Sequence, residues 1–185
     1  MPDMAEAEAR RRFAAARVAR LATVGPEGHP HLVPVVFAGG GTDGGRGART
    51  GHPVDLVTAV DHKPKRSGRL ARLRNIAAHP AVSLLVDDYA EDWDRLWWVR
   101  ADGDARILPP DAADERTRAE YAAALALLRD KYPQYRDRLP DGPVIAVSVR
   151  RWTGWRATAG EEAPERGGDG RRGGDGGPER PGHTR

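Results

Sequence analysis

There is no cysteine among the 185 residues, which removes disulfides, thiolate zinc sites and cysteine nucleophiles together. No apolar run approaches the roughly 20 residues that a membrane-spanning helix needs. The N-terminal "MPDMAEAEARRRFAAARVARLATV" carries charges throughout, unlike a secretory signal with an apolar middle. The chain therefore reads as soluble and cytoplasmic, with no membrane partner. Aromatic residues are scarce, at 6%. The histidines, at 29, 31, 52, 62, 79 and 183, show no HExxH or similar metal spacing. No GxSxG is present, so hydrolase chemistry has no support. The acidic group Asp87, Asp88, Glu91, Asp92 and Asp94 reads as a solvated loop rather than a metal cluster.

What is there suits one domain with a proper core. Residues 160–185 hold nine glycines and no large apolar side chain, so ordering them would cost backbone entropy with nothing buried in return. The expected organisation is a cofactor-binding domain over 1–159 and a disordered tail over 160–185. A second glycine-rich stretch, 39–51, lies between two strand-like runs and reads as a disordered insertion in a hairpin loop.

Apolar periodicity predicts a helix in "MAEAEARRRFAAARVA" and strand, turn, strand in "RLATVGPEGHPHLVPVVFA". "VDLVTAV" reads as a third strand and "AVSLLVDDY" as a fourth. "LWWVRADGDARIL" reads as two strands turning at "DG". "ERTRAEYAAALALLRDKYPQY" is an amphipathic helix ended by Pro133, and "VIAVSVRRWTGWRA" a last strand. Six or seven short strands with two or three helices predict a small antiparallel barrel.

Net charge is only +3, yet residues 61–75, "DHKPKRSGRLARLRN", hold six cations: Lys63, Lys65, Arg66, Arg69, Arg72 and Arg74. Nucleic acid, a phosphorylated ligand or plain solvation could each answer such a run. It lacks interleaved aromatics for base stacking, and the acidic "DDYAEDWD" follows soon after, so no nucleic-acid partner is expected. Ser67 suits an N-cap, and the unpaired N–H groups of a helix start favour a phosphate. Pro64 restrains the two lysines beside it. Trp97 and Trp98 are strand neighbours and point to opposite faces.

The order "RLATVGPEGHPHLVPVVF", "LVTAVDHKPKRSGRLARLRNIAAHPAVSLLVDDY", "LWWVRADGDARIL", "VIAVSVRRWTGWRA" resembles the pyridoxamine 5′-phosphate oxidase-like split-barrel superfamily. Within it, the chain is similar to the actinobacterial branch named for dependence on the deazaflavin coenzyme F420. The resemblance covers roughly residues 10–157. It implies a mainly β fold with α, a split β-barrel of the FMN-binding type, with six to seven antiparallel strands and flanking helices.

The resemblance also implies a homodimer with the cofactor at its interface. The cofactor ring would meet the backbone of Val33, Pro34, Val35 and Val36, and of Thr58, Ala59 and Val60. Its phosphate would meet Lys63, Lys65, Ser67, Arg69 and Arg72, and Trp98 and Trp152 are candidate pocket walls. The implied activity is an F420-dependent oxidoreductase moving a hydride to or from a small organic substrate. An FMN enzyme of the same fold and a non-catalytic carrier are the alternatives. No catalytic acid or base stands out, beyond His31 as one route for a proton.

Overall fold

The alternation on either side of "GPEG" folds as the hairpin that this pattern dictates. Strand β1 (Ala19–Val24) pairs antiparallel with β2 (Pro30–Val35), from Ala19↔Val35 to Val24↔Pro30. In the turn the Gly25 N–H donates to His29 O at 2.8 Å and the Gly28 N–H to Gly25 O at 2.9 Å. Gly28 has φ 82°, a conformation that side chains disfavour. The computed structural model describes residues 4–39, 54–60 and 70–157.

The remaining strands are β3 (Ala38–Gly39), β4 (Leu56–Ala59), β5 (Ala81–Asp88), β6 (Trp97–Leu108) and β7 (Val144–Arg156). They form one sheet in the order β2-β1-β5-β6-β7-β4-β3, antiparallel at each pairing. Helices α1 (Glu6–Ala15), α2 (Ala71–Ala78), α3 (Glu115–Lys131) and α4 (Gln134–Asp137) flank it. The fold is a mainly β split barrel with flanking helices. No helix among the described residues is long and apolar enough to cross a membrane.

"DG" does not turn. Asp102 and Gly103 lie inside β6, where the register with β7 slips: Asp102 faces Arg151 and Gly103 faces Val149, leaving Arg150 as the extra residue of a bulge. A Cβ on Gly103 would lie 2.2 Å from Ser148 O. The glycine serves a close backbone approach rather than a reversal, and the bulge bends both long strands into a half-barrel.

Alternate residues of β5 and β6, among them Leu84, Val86, Val99 and Ala101, fill the barrel interior together with Leu21 and Leu56. Helix α1 closes one end of it. Phe13 is fully buried there, with its ring 4.9 Å from that of Phe37 and 5.1 Å from that of Trp152, both edge-on. Val57, Ala59, Val144 and Ala146 point the other way and meet α3 through Ala124, Leu128 and Tyr132. Strand β4 is thus buried on both faces, between the interior and α3. The side chain of Asp114 caps α3, accepting from Thr117 N at 2.8 Å.

Two further expectations are corrected. "PHLVPVVFA" is not one strand, because the chain leaves β2 after Val35 and starts β3 at Ala38. Helix α2 starts at Ala71 with Leu70 in the N-cap position and no side-chain cap. This puts Leu70, not the expected Ser67, at the cap and Arg72 on the first turn.

Candidate functional site

Strands β2 and β3 are the two edges of the sheet, and the chain crosses from one to the other in two residues, Val36 and Phe37. Along this line the barrel is open. One lip is the end of β2 with Val36. The other is β4 with Val60. Strand β3 pairs only Ala38 with Val57 and Gly39 with Leu56. Beyond it, Thr58 and Ala59 pair with Ile145 and Val144 of β7 on one side and have no ladder partner on the other among the described residues. The end of β2, paired with β1 alone, and the end of β4, paired with β7 alone, therefore each keep one strand edge outside the ladder among the described residues.

Of the two runs singled out in the sequence, Val33–Val36 ends β2 and Thr58–Val60 ends β4, and Val36 packs against the cluster that holds Ala59. Val35 faces the interior, and Val33 packs partly against it. Pro34 is exposed, and Val36 leans on the α3 cluster. Thr58 and Ala59 are buried, and Val60 is half-buried, its N–H donating to Pro143 O at 3.0 Å. The described residues of the two runs carry no charge. Lys63, Lys65, Ser67 and Arg69, with the neighbouring Arg66, lie outside the described residues, in the segment that follows Val60 directly. Arg72 is half-buried on the first turn of α2, and Arg74 is exposed.

The tryptophans separate as strand alternation requires. Trp97 packs against the interior cluster, with the Arg12 guanidinium 5.1 Å from its ring centroid. Trp98 faces outward beside Trp155, its cross-strand partner. Trp152 lies under α1 against Phe13, with the Arg10 guanidinium 5.0 Å from its ring, and its Nε1 is buried without a hydrogen-bond partner.

His31 is half-buried at the other end of β2. Its Nδ1 is 3.4 Å from Thr23 Oγ1, which accepts from Asn75 Nδ2 at 3.0 Å. With His29, Glu27 and Arg74 it lines a cavity of about 410 Å³ beside the hairpin turn. A second cavity, about 440 Å³, lies between Trp97, Arg12, Arg95 and Arg156, with Asp88 and Asp94 opposing the cations. Among the described residues no cluster of three or more His, Asp or Glu side chains is placed to hold a metal.

Sequence reasoning missed the residues behind the slot. The Tyr132 hydroxyl accepts from Phe37 N at 3.0 Å, and Phe37 O and Arg17 O lie 2.7 and 2.8 Å away as acceptors for its proton. The Tyr121 hydroxyl donates to Gly142 O at 3.0 Å. Burial raises both phenol pKa values, helped at Tyr121 by the charge of Asp141, and opposed at Tyr132 by its bond to Phe37 and by Arg17. Both remain protonated near neutral pH. Nothing in "YAAALALLRDKY" marks these tyrosines from the apolar stripe in which they stand.

The sheet's outer face carries Leu32, 65% exposed, Val24, Pro34, Leu85, Trp98 and Trp155. Its charges are paired within the face. Arg20 meets Asp87, and Asp102 meets Arg100 at 3.0 Å, Arg151 at 3.5 Å and the Ser83 hydroxyl at 2.6 Å. Burial alone would raise the Asp102 pKa, but Ser83 and the two arginines outweigh it and hold it below the ordinary value.

The family profile described as pyridoxamine 5′-phosphate oxidase matches residues 5–156. No curated protein matches the sequence. Among solved structures, a conserved hypothetical protein of Mycobacterium tuberculosis is 22% identical with a TM-score of 0.58, over 83% of this chain and 85% of that one. An FAD-binding protein of Mesorhizobium loti is 19% identical with a TM-score of 0.56, over 83% of this chain and 95% of that one. The heme storage protein HutZ of Vibrio cholerae is 15% identical with a TM-score of 0.53, over 80% and 89%. At such identities the likeness is one of fold.

Proposed function

We propose, from the premise that the chain belongs to the pyridoxamine 5′-phosphate oxidase family, that it is an oxidoreductase binding a flavin-type cofactor in the slot between β2 and β4, with F420 as that cofactor. One observation carries this reading: Val33–Val35 pair only with β1, and Thr58 and Ala59 only with β7, so each run keeps one unpaired strand edge among the described residues, and Val60 leads directly into a run of six cations. A flat heterocycle with polar edges fits such a slot, since its edge atoms can take up strand hydrogen bonds while its faces meet valine and proline.

When bound, the deazaflavin supplies hydride transfer; the protein supplies position, dryness and charge. Val33, Val35 and Val36 exclude water from one lip, and the buried Thr58 and Ala59 fix the other. Lys63, Lys65, Ser67, Arg69 and Arg72 receive the phosphate. F420 carries a phosphodiester and a glutamate tail, hence more negative charge than FMN, and six cations suit the larger load. FMN remains the alternative cofactor, held by a subset of the same residues.

The protein acts as a homodimer through the outer sheet face. That face is apolar around Leu32, Trp98 and Trp155, and its Arg20, Arg100 and Arg151 already meet Asp87 and Asp102 within it, so a second copy covers it without leaving any of them unpaired.

A second reading, a non-catalytic carrier, draws on two points. The described lips present no proton donor, and the structural neighbours include an FAD-binding protein and a heme storage protein. The absorbance of the purified protein, followed by titration with F420 and FMN and a substrate panel, separates the three. Tight F420 binding with turnover supports the oxidoreductase. A yellow protein with a flavin spectrum supports FMN, and F420 binding without turnover supports the carrier.

A further inference from the structure

The slot has two lips, and one helix reaches both. Tyr121 and Tyr132 stand three turns apart along α3 and at its end, roughly 16 Å by helical rise, so they project to the same side. Tyr132 takes both backbone groups of Phe37, the residue at the crossing between the sheet edges, where no strand offers partners. Tyr121 donates to Gly142 O at 3.0 Å. Gly142 lies directly on the second lip: a Cβ there would stand 2.8 Å from Val60 O. The next residue, Pro143, accepts the Val60 N–H at 3.0 Å. Each lip is thus fixed by one phenol hydroxyl from a common rod. The same helix carries the buried Glu120, which meets Arg106 at 2.5 Å and bonds neither lip.

We infer that α3 is a brace that sets the width of the slot, and that Tyr121 and Tyr132 are positioning residues for the flat ligand held there. This rests on the slot being the cofactor site, and it adds to that reading a specific source of its geometry. A slot that takes an aromatic ring edge-on tolerates little change in width, because hydrogen bonds weaken steeply once stretched or bent. Removing a hydroxyl while keeping the ring loosens one lip without opening a cavity in the core.

The test uses the full chain with Tyr121→Phe, Tyr132→Phe and, as a comparison, Glu120→Gln. The Glu120 change breaks a buried ion pair of α3 but removes no hydrogen bond to either lip. Affinity for F420 and FMN is read by fluorescence titration, the bound ligand by its absorbance maximum, stability by thermal melting, and local opening by amide hydrogen exchange.

The brace predicts that each tyrosine variant loses about fivefold in affinity and shifts the absorbance of the bound ligand. It also predicts that Glu120→Gln melts earlier yet binds normally. In ligand-free protein, Tyr132→Phe speeds exchange at Phe37 and Tyr121→Phe speeds it at Val60. Normal binding by both tyrosine variants, or an equal loss in Glu120→Gln, overturns the brace. Wild-type protein that binds neither ligand overturns the cofactor reading instead. Exchange then decides the brace alone: unchanged rates at Phe37 and Val60 refute it.

Discussion

The Lys131 ammonium lies 3.8 Å from the centroid of the Phe37 ring and donates to Ala14 O at 2.9 Å. The ring favours the charged form, but burial outweighs it. With the positive charge of Arg17 adding to the effect, the pKa of Lys131 is pushed down to about 8 from 10.5. A lysine with a lower pKa folded than unfolded gives up its proton on folding between those values. Wild-type stability, read as a urea midpoint, should therefore gain with rising pH from about 8 to 10, and Lys131→Met should lack that gain. Identical pH profiles for the two proteins contradict this account of Lys131.

Gly103→Ala should destabilise the fold by about 1–3 kcal/mol, as overpacking does, because its Cβ meets backbone at 2.2 Å. Gly25→Ala, whose Cβ would lie 3.5 Å from His29 O, should stay within about 0.5 kcal/mol. Denaturant unfolding checks both. Equal costs would mean that the bulge between β6 and β7 relaxes freely.

The strands were legible where alternation is local. The β1–β2 hairpin, β5 and the opposite faces of Trp97 and Trp98 follow from period two alone. The "DG" at 102–103 misled, because the same dipeptide serves a turn and a close strand crossing, and only the partner strand's Ser148 tells them apart. The break at Phe37 was hidden for a similar reason: its backbone partner, Tyr132, lies 95 residues away. Val33–Val36 and Thr58–Val60 came from a family resemblance. What leaves the end of β4 without a second strand partner, the early end of β3, is a property of register that composition does not carry.

If the proposed homodimer forms through the outer face, Leu32→Asp should convert it to a monomer in sedimentation velocity, since it places a charge on a face whose other charges are already paired. A wild-type protein that sediments as a stable monomer at micromolar concentration, and still binds cofactor, removes the outer face from the account.

Lys63→Ala and Lys65→Ala should each weaken F420 binding by about 1.5–3 kcal/mol, the range for hydrogen bonds to charged groups, or roughly tenfold to a hundredfold. The loss should shrink at high salt. Arg74→Ala, which alters an exposed side chain at the hairpin cavity, should change little. Arg74 proving as costly as Lys65 would mean that the cations act as a diffuse field rather than a phosphate grip.

The most direct measurement is the backbone amide NMR spectrum of the labelled protein titrated with F420. The account predicts the largest shifts at Val33, Val35, Val36, Thr58, Ala59 and Val60, with the hairpin amides of Gly25, Glu27, Gly28 and His29 nearly still. Shifts centred on the hairpin cavity or on the outer sheet face, with the two lips unmoved, would contradict it.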